Sequence, residues 1–77
     1  MKAKSLKMEH CGIYYIELSD GTLGFFARVS ELTKYTGIKY PLAKPGQWVL
    51  DIEQHPPVYF KNYQQGRAYI RRVYQLT

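Results

Sequence analysis

Cysteine is almost missing: Cys11 is the only one in 77 residues, so no disulfide can form within the chain. One free thiol in a basic chain fits a reducing, cytoplasmic compartment. No apolar run approaches the roughly 20 residues that cross a bilayer, so no membrane partner is expected. Lys2, Lys4 and Lys7 could open a signal peptide. The apolar run that should follow them is broken by Glu9, His10 and later Glu17, and no small-residue cleavage site comes after it. No repeat, no phosphate-binding glycine loop and no His-Glu-x-x-His motif occurs. Gly21-Thr22-Leu23-Gly24 reads as a hairpin turn. His10, Cys11 and His55 do not make a metal site, because adjacent strand residues point to opposite faces and His55 stands before two prolines. Cys11 is better explained as a small buried apolar group than as a nucleophile. These absences lead to an expectation of no cofactor, no metal, no catalytic residue and no enzyme activity.

Acidic residues are also scarce, and their placement matters. Eleven lysines and arginines face six acids, for a net charge of +5. Residues 1–7 hold three lysines and no acid; residues 58–77 hold Lys61, Arg67, Arg71 and Arg72 and no acid. Residues 8–57 carry four basic and six acidic side chains. If the two terminal segments meet, they make one basic face over a near-neutral body. Such a face favours polyanions: nucleic acid first, an acidic protein patch second.

What the chain has in abundance is aromatic: eight Tyr, three Phe and one Trp. A chain this short buries only about 60% of the surface its unfolded form exposes, and large rings compensate for a small core. The composition fits a single domain over 1–77, with 1–8 as a flexible basic arm.

GIYYIELSDGTLGFFARV reads as a hairpin around a two-residue Asp20-Gly21 turn. That register sets Leu18 against Leu23, Ile16 against Phe25 and Tyr14 against Ala27. VSELTKYTGI predicts a short helix capped by Ser30, with Glu31 in its first turn and Gly37 as its stop. Leu32 and Tyr35 would face inward. KYPLAKPG is a loop. QWVLDIEQ alternates and favours a strand, with a helix from Pro45 as the alternative.

VYFKNYQQGRAYIRR reads as a second hairpin, turning at Gln64-Gln65-Gly66 with a bulge at Gly66. Tyr59, Lys61, Tyr63, Arg67, Tyr69 and Arg71 then share one face, and Val58, Phe60, Ala68 and Ile70 share the other. A helix over Arg67–Leu76 is the alternative, because Ile70, Val73 and Tyr74 fit helical spacing. The Tyr/Lys/Arg face suits nucleic acid: arginine and lysine meet phosphates, and tyrosine rings stack on unpaired bases. Lys2 and Lys4 of the arm would add backbone contacts.

Two stretches resemble known families. WVLDIEQHPPVYFKNYQQGRAY, preceded by RVSELTKYTGI, resembles part of the phage excisionase pattern. There a Trp-Val in a helix is followed by Pro-Pro and a Gly-Arg-x-Tyr wing. That resemblance implies a winged-helix DNA binder over residues 28–69, with Gln47 and Trp48 in its second helix and Arg67 and Tyr69 in the wing. GRAYIRRVYQL looks like the last strands of RelE-type ribonuclease toxins. That resemblance implies metal-independent RNA cleavage by Lys61, Arg67, Arg71 and Tyr74.

The expected fold is therefore α+β: a small curved antiparallel sheet of four to five strands, built from two hairpins, with one short helix. Its core would hold Ile16, Leu18, Phe25, Leu32, Trp48, Leu50, Phe60 and Ile70. The expected function is a non-enzymatic nucleic-acid-binding accessory or regulatory protein of phage or mobile-element type, with single-stranded DNA or RNA favoured. The alternative is a protein-interaction module or inhibitor of a host factor that docks an acidic patch through the same face. A homodimer could form through a free strand edge at Gln47–Gln54 or at the C-terminal strand.

Overall fold

Five strands pair in simple chain order. In a computed structural model that describes residues 2–10 and 12–76, they form one antiparallel sheet, β1-β2-β3-β4-β5. The strands are β1 (Ala3–His10), β2 (Ile13–Leu18), β3 (Leu23–Arg28), β4 (Trp48–Ile52) and β5 (Val58–Phe60). Helix α1 (Val29–Thr36) follows β3, and helix α2 (Tyr63–Val73) follows β5. The fold is α+β, with one helix more than the sequence suggests. The reading of Cys11 lies outside the described residues.

Strand alternation divides the core into two layers. One face of the sheet buries Ile16, Leu18, Phe26, Leu50, Ile52 and Phe60 against Ile70 of α2. The other buries Ile13, Ala27 and Val49 with Val29 and Leu32 of α1 and with Tyr40. Phe26 is fully buried, whereas Phe25 and Trp48, expected in the core, are only half-buried.

The β2–β3 register explains that exchange. Gly21 sits at φ 89°, and Asp20 is not left-handed. The turn is therefore not the two-residue type, which needs positive φ at both positions. Gly21 N–H donates to Leu18 O at 2.9 Å and Leu18 N–H to Thr22 O at 2.8 Å, giving a three-residue loop with a bulge at glycine. Tyr14 then pairs with Phe26 and Tyr15 with Phe25. The one-residue slip from the expected pairing turns every β3 side chain to the other face.

Residues 3–10 are an eight-residue edge strand on β2, where the sequence suggests a loose arm. Its apolar residues Ala3 and Leu6 pack on the α2 layer, and Ala3 N–H donates to Tyr74 O at 2.6 Å. β4 is a strand, and it pairs with β3 on one side and β5 on the other. The segment expected as a free dimerising edge is thus largely internal; β1 and β5 are the edges.

Helix α1 enters directly from β3. Its first residue, Val29, donates its N–H to Gln47 O at 2.8 Å, and Ser30 lies inside the helix rather than capping it. Gly37, at φ 79°, stops it and donates to Thr33 O at 2.7 Å.

The largest departure is at the C-terminus. The expected second hairpin does not form, and Tyr63–Val73 is helical. Asn62 is the N-cap: its side chain accepts from Gln65 N–H at 2.9 Å, while Gln65 Oε1 accepts from Lys61 N–H at 3.0 Å. Arg71 and Arg72 stand in the last turn, where the helix dipole favours cations. Gly66 and Ile70 face the sheet. With α2 helical, Arg67 and Tyr69 are not in a wing, and Gln47 and Trp48 are not in a helix, so the excisionase placement does not hold. The stretch that resembles the final toxin strands is likewise helical up to Val73.

Candidate nucleic-acid interface

An aromatic cluster gathers where the start of α2 crosses the sheet. Strand β2 contributes Tyr14, β3 contributes Phe26, β4 contributes Trp48 and α2 contributes Tyr63. Ring centroids are 5.4 Å apart for Trp48–Tyr63, 5.6 Å for Tyr14–Tyr63 and 6.4 Å for Tyr14–Trp48. Phe26 forms the floor, 4.9 Å from Trp48 and 5.9 Å from Tyr63. Phe26 is sealed, but Tyr14, Trp48 and Tyr63 are only partly buried. Met8, the cross-strand partner of Tyr14, extends this apolar surface at 57% exposure.

Arginines rim the cluster. Arg28, paired with Trp48 across β3 and β4, sets its guanidinium 6.0 Å from that ring. Arg67 lies one turn after Tyr63; its guanidinium is 5.9 Å from the ring, and Nη1 donates to the Tyr63 hydroxyl at 2.8 Å. Burial first, and then the Tyr63 hydroxyl beside it, push the Tyr14 phenol up, while Arg67 pulls it back. Tyr14 therefore remains a neutral phenol at ordinary pH, and the charge of the site is cationic. Arg71 follows Arg67 by four residues, so Tyr63, Arg67 and Arg71 form one stripe along α2.

The residues singled out from sequence are thus split. Tyr63, Arg67 and Arg71 stay together, though along a helix instead of a ribbon. Lys61 is exposed just ahead of α2. Tyr69 stands on the opposite flank of the helix, 5.3 Å from Phe60 and 6.5 Å from Tyr74, with Arg72 over its ring at 5.9 Å. Tyr59 points to the α1 side, 6.3 Å from Tyr40. Lys2 gives its carbonyl to Ser19 N–H, and Lys4 pairs with Glu17 at 3.7 Å. Both lie at the Leu18 end of β2, about 10 Å or more along the sheet from Tyr14.

Sequence reasoning missed Tyr14, Arg28 and Trp48 as members of this site. Two of them meet only through the β3–β4 register, which no local pattern reveals. The Tyr63–Arg67 pair could have been found from its helical spacing, had the Asn62-x-x-Gln65 cap been recognised. Among the described residues, no three His, Cys, Asp or Glu side chains are placed to hold a metal ion. No helix is long and apolar enough to cross a membrane. Comparison with known proteins gives no match to a family model, to a curated protein or to a solved structure.

Proposed function

We propose that the protein binds single-stranded nucleic acid as a non-enzymatic accessory or regulatory factor, through the Trp48–Tyr63 rings and the arginines around them. The observation that carries this reading is the pairing of partly buried aromatic residues with Arg28 and Arg67 beside an acid-free helix. Stacking of an unpaired base on such a ring contributes about 1–3 kcal/mol. Arg67 is already oriented by the Tyr63 hydroxyl, so little side-chain freedom is lost when it meets a phosphate. Arg71 and Lys61 extend the phosphate track along α2. A single strand suits the site better than a duplex, because the rings need base faces that stacking inside a duplex would hide.

The chain's only tryptophan sits in the site and reports on it directly. Titration with a mixed-sequence single-stranded oligonucleotide at about 50 mM salt, where phosphate contacts are strong, should quench Trp48 emission and raise the anisotropy of a labelled strand. Arg67→Ala should weaken binding several-fold with an unchanged fold by circular dichroism. An unperturbed Trp48 together with unchanged anisotropy would overturn the proposal and leave an acidic protein patch as the surface's partner.

A further inference from the structure

On the far side of the sheet, α1 is only two turns long and covers only the end marked by Ile13, Ala27 and Val49. The other half of that face is covered only in part: Tyr15 and Phe25 pack on the α1 layer, and the Tyr40 hydroxyl reaches Asp51. Two cross-strand rows run across it: Lys7, Tyr15, Phe25 and Asp51 in one, Ser5, Glu17, Leu23 and Glu53 in the other. They form a trough of two adjoining cavities of about 310 and 450 Å³, which share Tyr15 and Leu23. Its floor is apolar. Leu23 is 53% exposed and Ile38 is 42% exposed, and the two line one cavity together.

The rim says what fits there. Glu9, Glu17, Asp51 and Glu53 line the two cavities, four of the six acids in a chain of net charge +5. Gathering like charges around bare apolar side chains costs the isolated molecule stability unless a cation covers them. Lys7 and the Lys4–Glu17 pair offset only part of this charge. The complementary surface lies on the opposite face of the same chain. The last turn of α2 presents Arg71, Arg72 and Val73 with no acid nearby on the helix, and Val73 is 42% exposed. Both patches pair an exposed aliphatic with charge, and the charges are opposite.

We infer that a second copy of this chain is the trough's occupant, with the Arg71–Val73 turn of one molecule set over Leu23 and Ile38 of the next. The two patches are on opposite sides of one sheet, so they cannot meet within a molecule. Between molecules the contact is head-to-tail, which leaves a free trough at one end and a free helix at the other. Assembly therefore continues past two copies. The contact shares Arg71 with the phosphate track but leaves out the Trp48–Tyr63 rings and Arg67, and its test needs no nucleic acid, so the two proposals fail separately.

Sedimentation velocity of the protein alone tests it. At about 0.5 mM protein and about 20 mM salt, the weight-average mass should exceed twice the monomer and keep rising with concentration. It should return to monomer at about 0.5 M salt, where such contacts are screened. Glu17→Lys with Glu53→Lys cancels the charge of the four rim acids and leaves Asp51 in place. Arg71→Glu with Arg72→Glu reverses the helix turn. Each double variant alone should stay monomeric with wild-type circular dichroism, and an equimolar mixture should assemble again. A wild type that stays monomeric, that stops at a dimer, or whose assembly survives either double variant would overturn the inference. So would a mixture that fails to assemble.

Discussion

Single residues decide where the two layers can close, and Gly66 is the sharpest case. A β-carbon there would overlap the ring of Phe26 and stand 3.1 Å from Phe60. Glycine is disfavoured inside a helix by about 1 kcal/mol against alanine, so helix propensity alone predicts that Gly66→Ala stabilises. Packing predicts the reverse. Phe26 is fully buried and ringed by Tyr14, Trp48, Phe60 and Tyr63, and it has no free direction in which to move. Overpacking of this kind costs about 1–3 kcal/mol, so Gly66→Ala should lower stability in urea unfolding, with Trp48 emission altered in the folded state. Tyr40 on the other layer makes a pH-dependent contribution. Its hydroxyl donates to Asp51 Oδ2 at 2.6 Å, and burial, followed by that carboxylate, raises its pKa above the ordinary value of 10.0. The fold holds the phenol neutral more strongly than the unfolded chain does. Its stabilisation is complete below pH 10.0 and is lost as pH rises from there towards the folded value. Tyr40→Phe should cost about 1 kcal/mol near neutrality through the missing hydrogen bond. It should also flatten the alkaline decline between about pH 10 and pH 12, read as unfolding free energy against pH.

Elements are legible in the sequence to the degree that their signals are local. Gly37 marks the end of α1 correctly because a left-handed stop depends on one residue. β4 is legible because Trp48, Leu50 and Ile52 alternate with Gln47, Asp51 and Glu53, with Val49 the one apolar exception. The α2 region misleads because residues 58–71 satisfy two periods at once. A strand reading sorts Tyr, Lys and Arg onto one face, while a helical reading sorts Gly66 and Ile70 onto another. What breaks the tie is the cap, Asn62 with Gln65 three residues on, and the narrow gap that Gly66 fills against Phe26. The second of these is tertiary and invisible in one sequence. The β2–β3 register fails for a related reason: Asp-Gly suits a two-residue turn, but a three-residue loop with a glycine bulge uses the same dipeptide one position later. Those two features hide the aromatic cluster from the sequence, since Tyr14 and Phe26 share a face only in the observed register. If the cap is what commits this segment to a helix, Asn62→Ala should lower stability by about 1 kcal/mol. It should also raise amide exchange in Gln64–Gly66 more than at Ile70, where packing holds the helix. Uniform exchange along α2 would show that the cap contributes nothing locally.

At the scale of the whole molecule, the sheet works as a partition for charge. The α2 side carries an acid-free helix and arginines seated on aromatic rings; the α1 side carries most of the acids around an open trough. This arrangement follows from strand alternation: β2 and β4 send Tyr14, Trp48 and Leu50 one way and Glu17 and Asp51 the other. The net charge of +5 therefore understates the field on the α2 side, because four of the six acids that reduce the sum lie on the far face, where distance and salt weaken their effect. A polyanion approaching that side should release counterions from each phosphate that an arginine neutralises. For single strands the slope of log affinity against log salt changes by about 0.7 per contact. Replacing Arg67 and Arg71 together by alanine should make the slope shallower by about 1.4. Reversing the acids on the far side, by Glu17→Lys with Glu53→Lys, should change it little, although it adds four to the net charge. If binding instead followed total charge, the far-side variant would bind more tightly and steepen the slope, and a specific site on α2 would be excluded. The two variants therefore separate a positioned site from general attraction to a basic protein, and the measurement that does so is the salt dependence of oligonucleotide anisotropy for each, set beside the wild type.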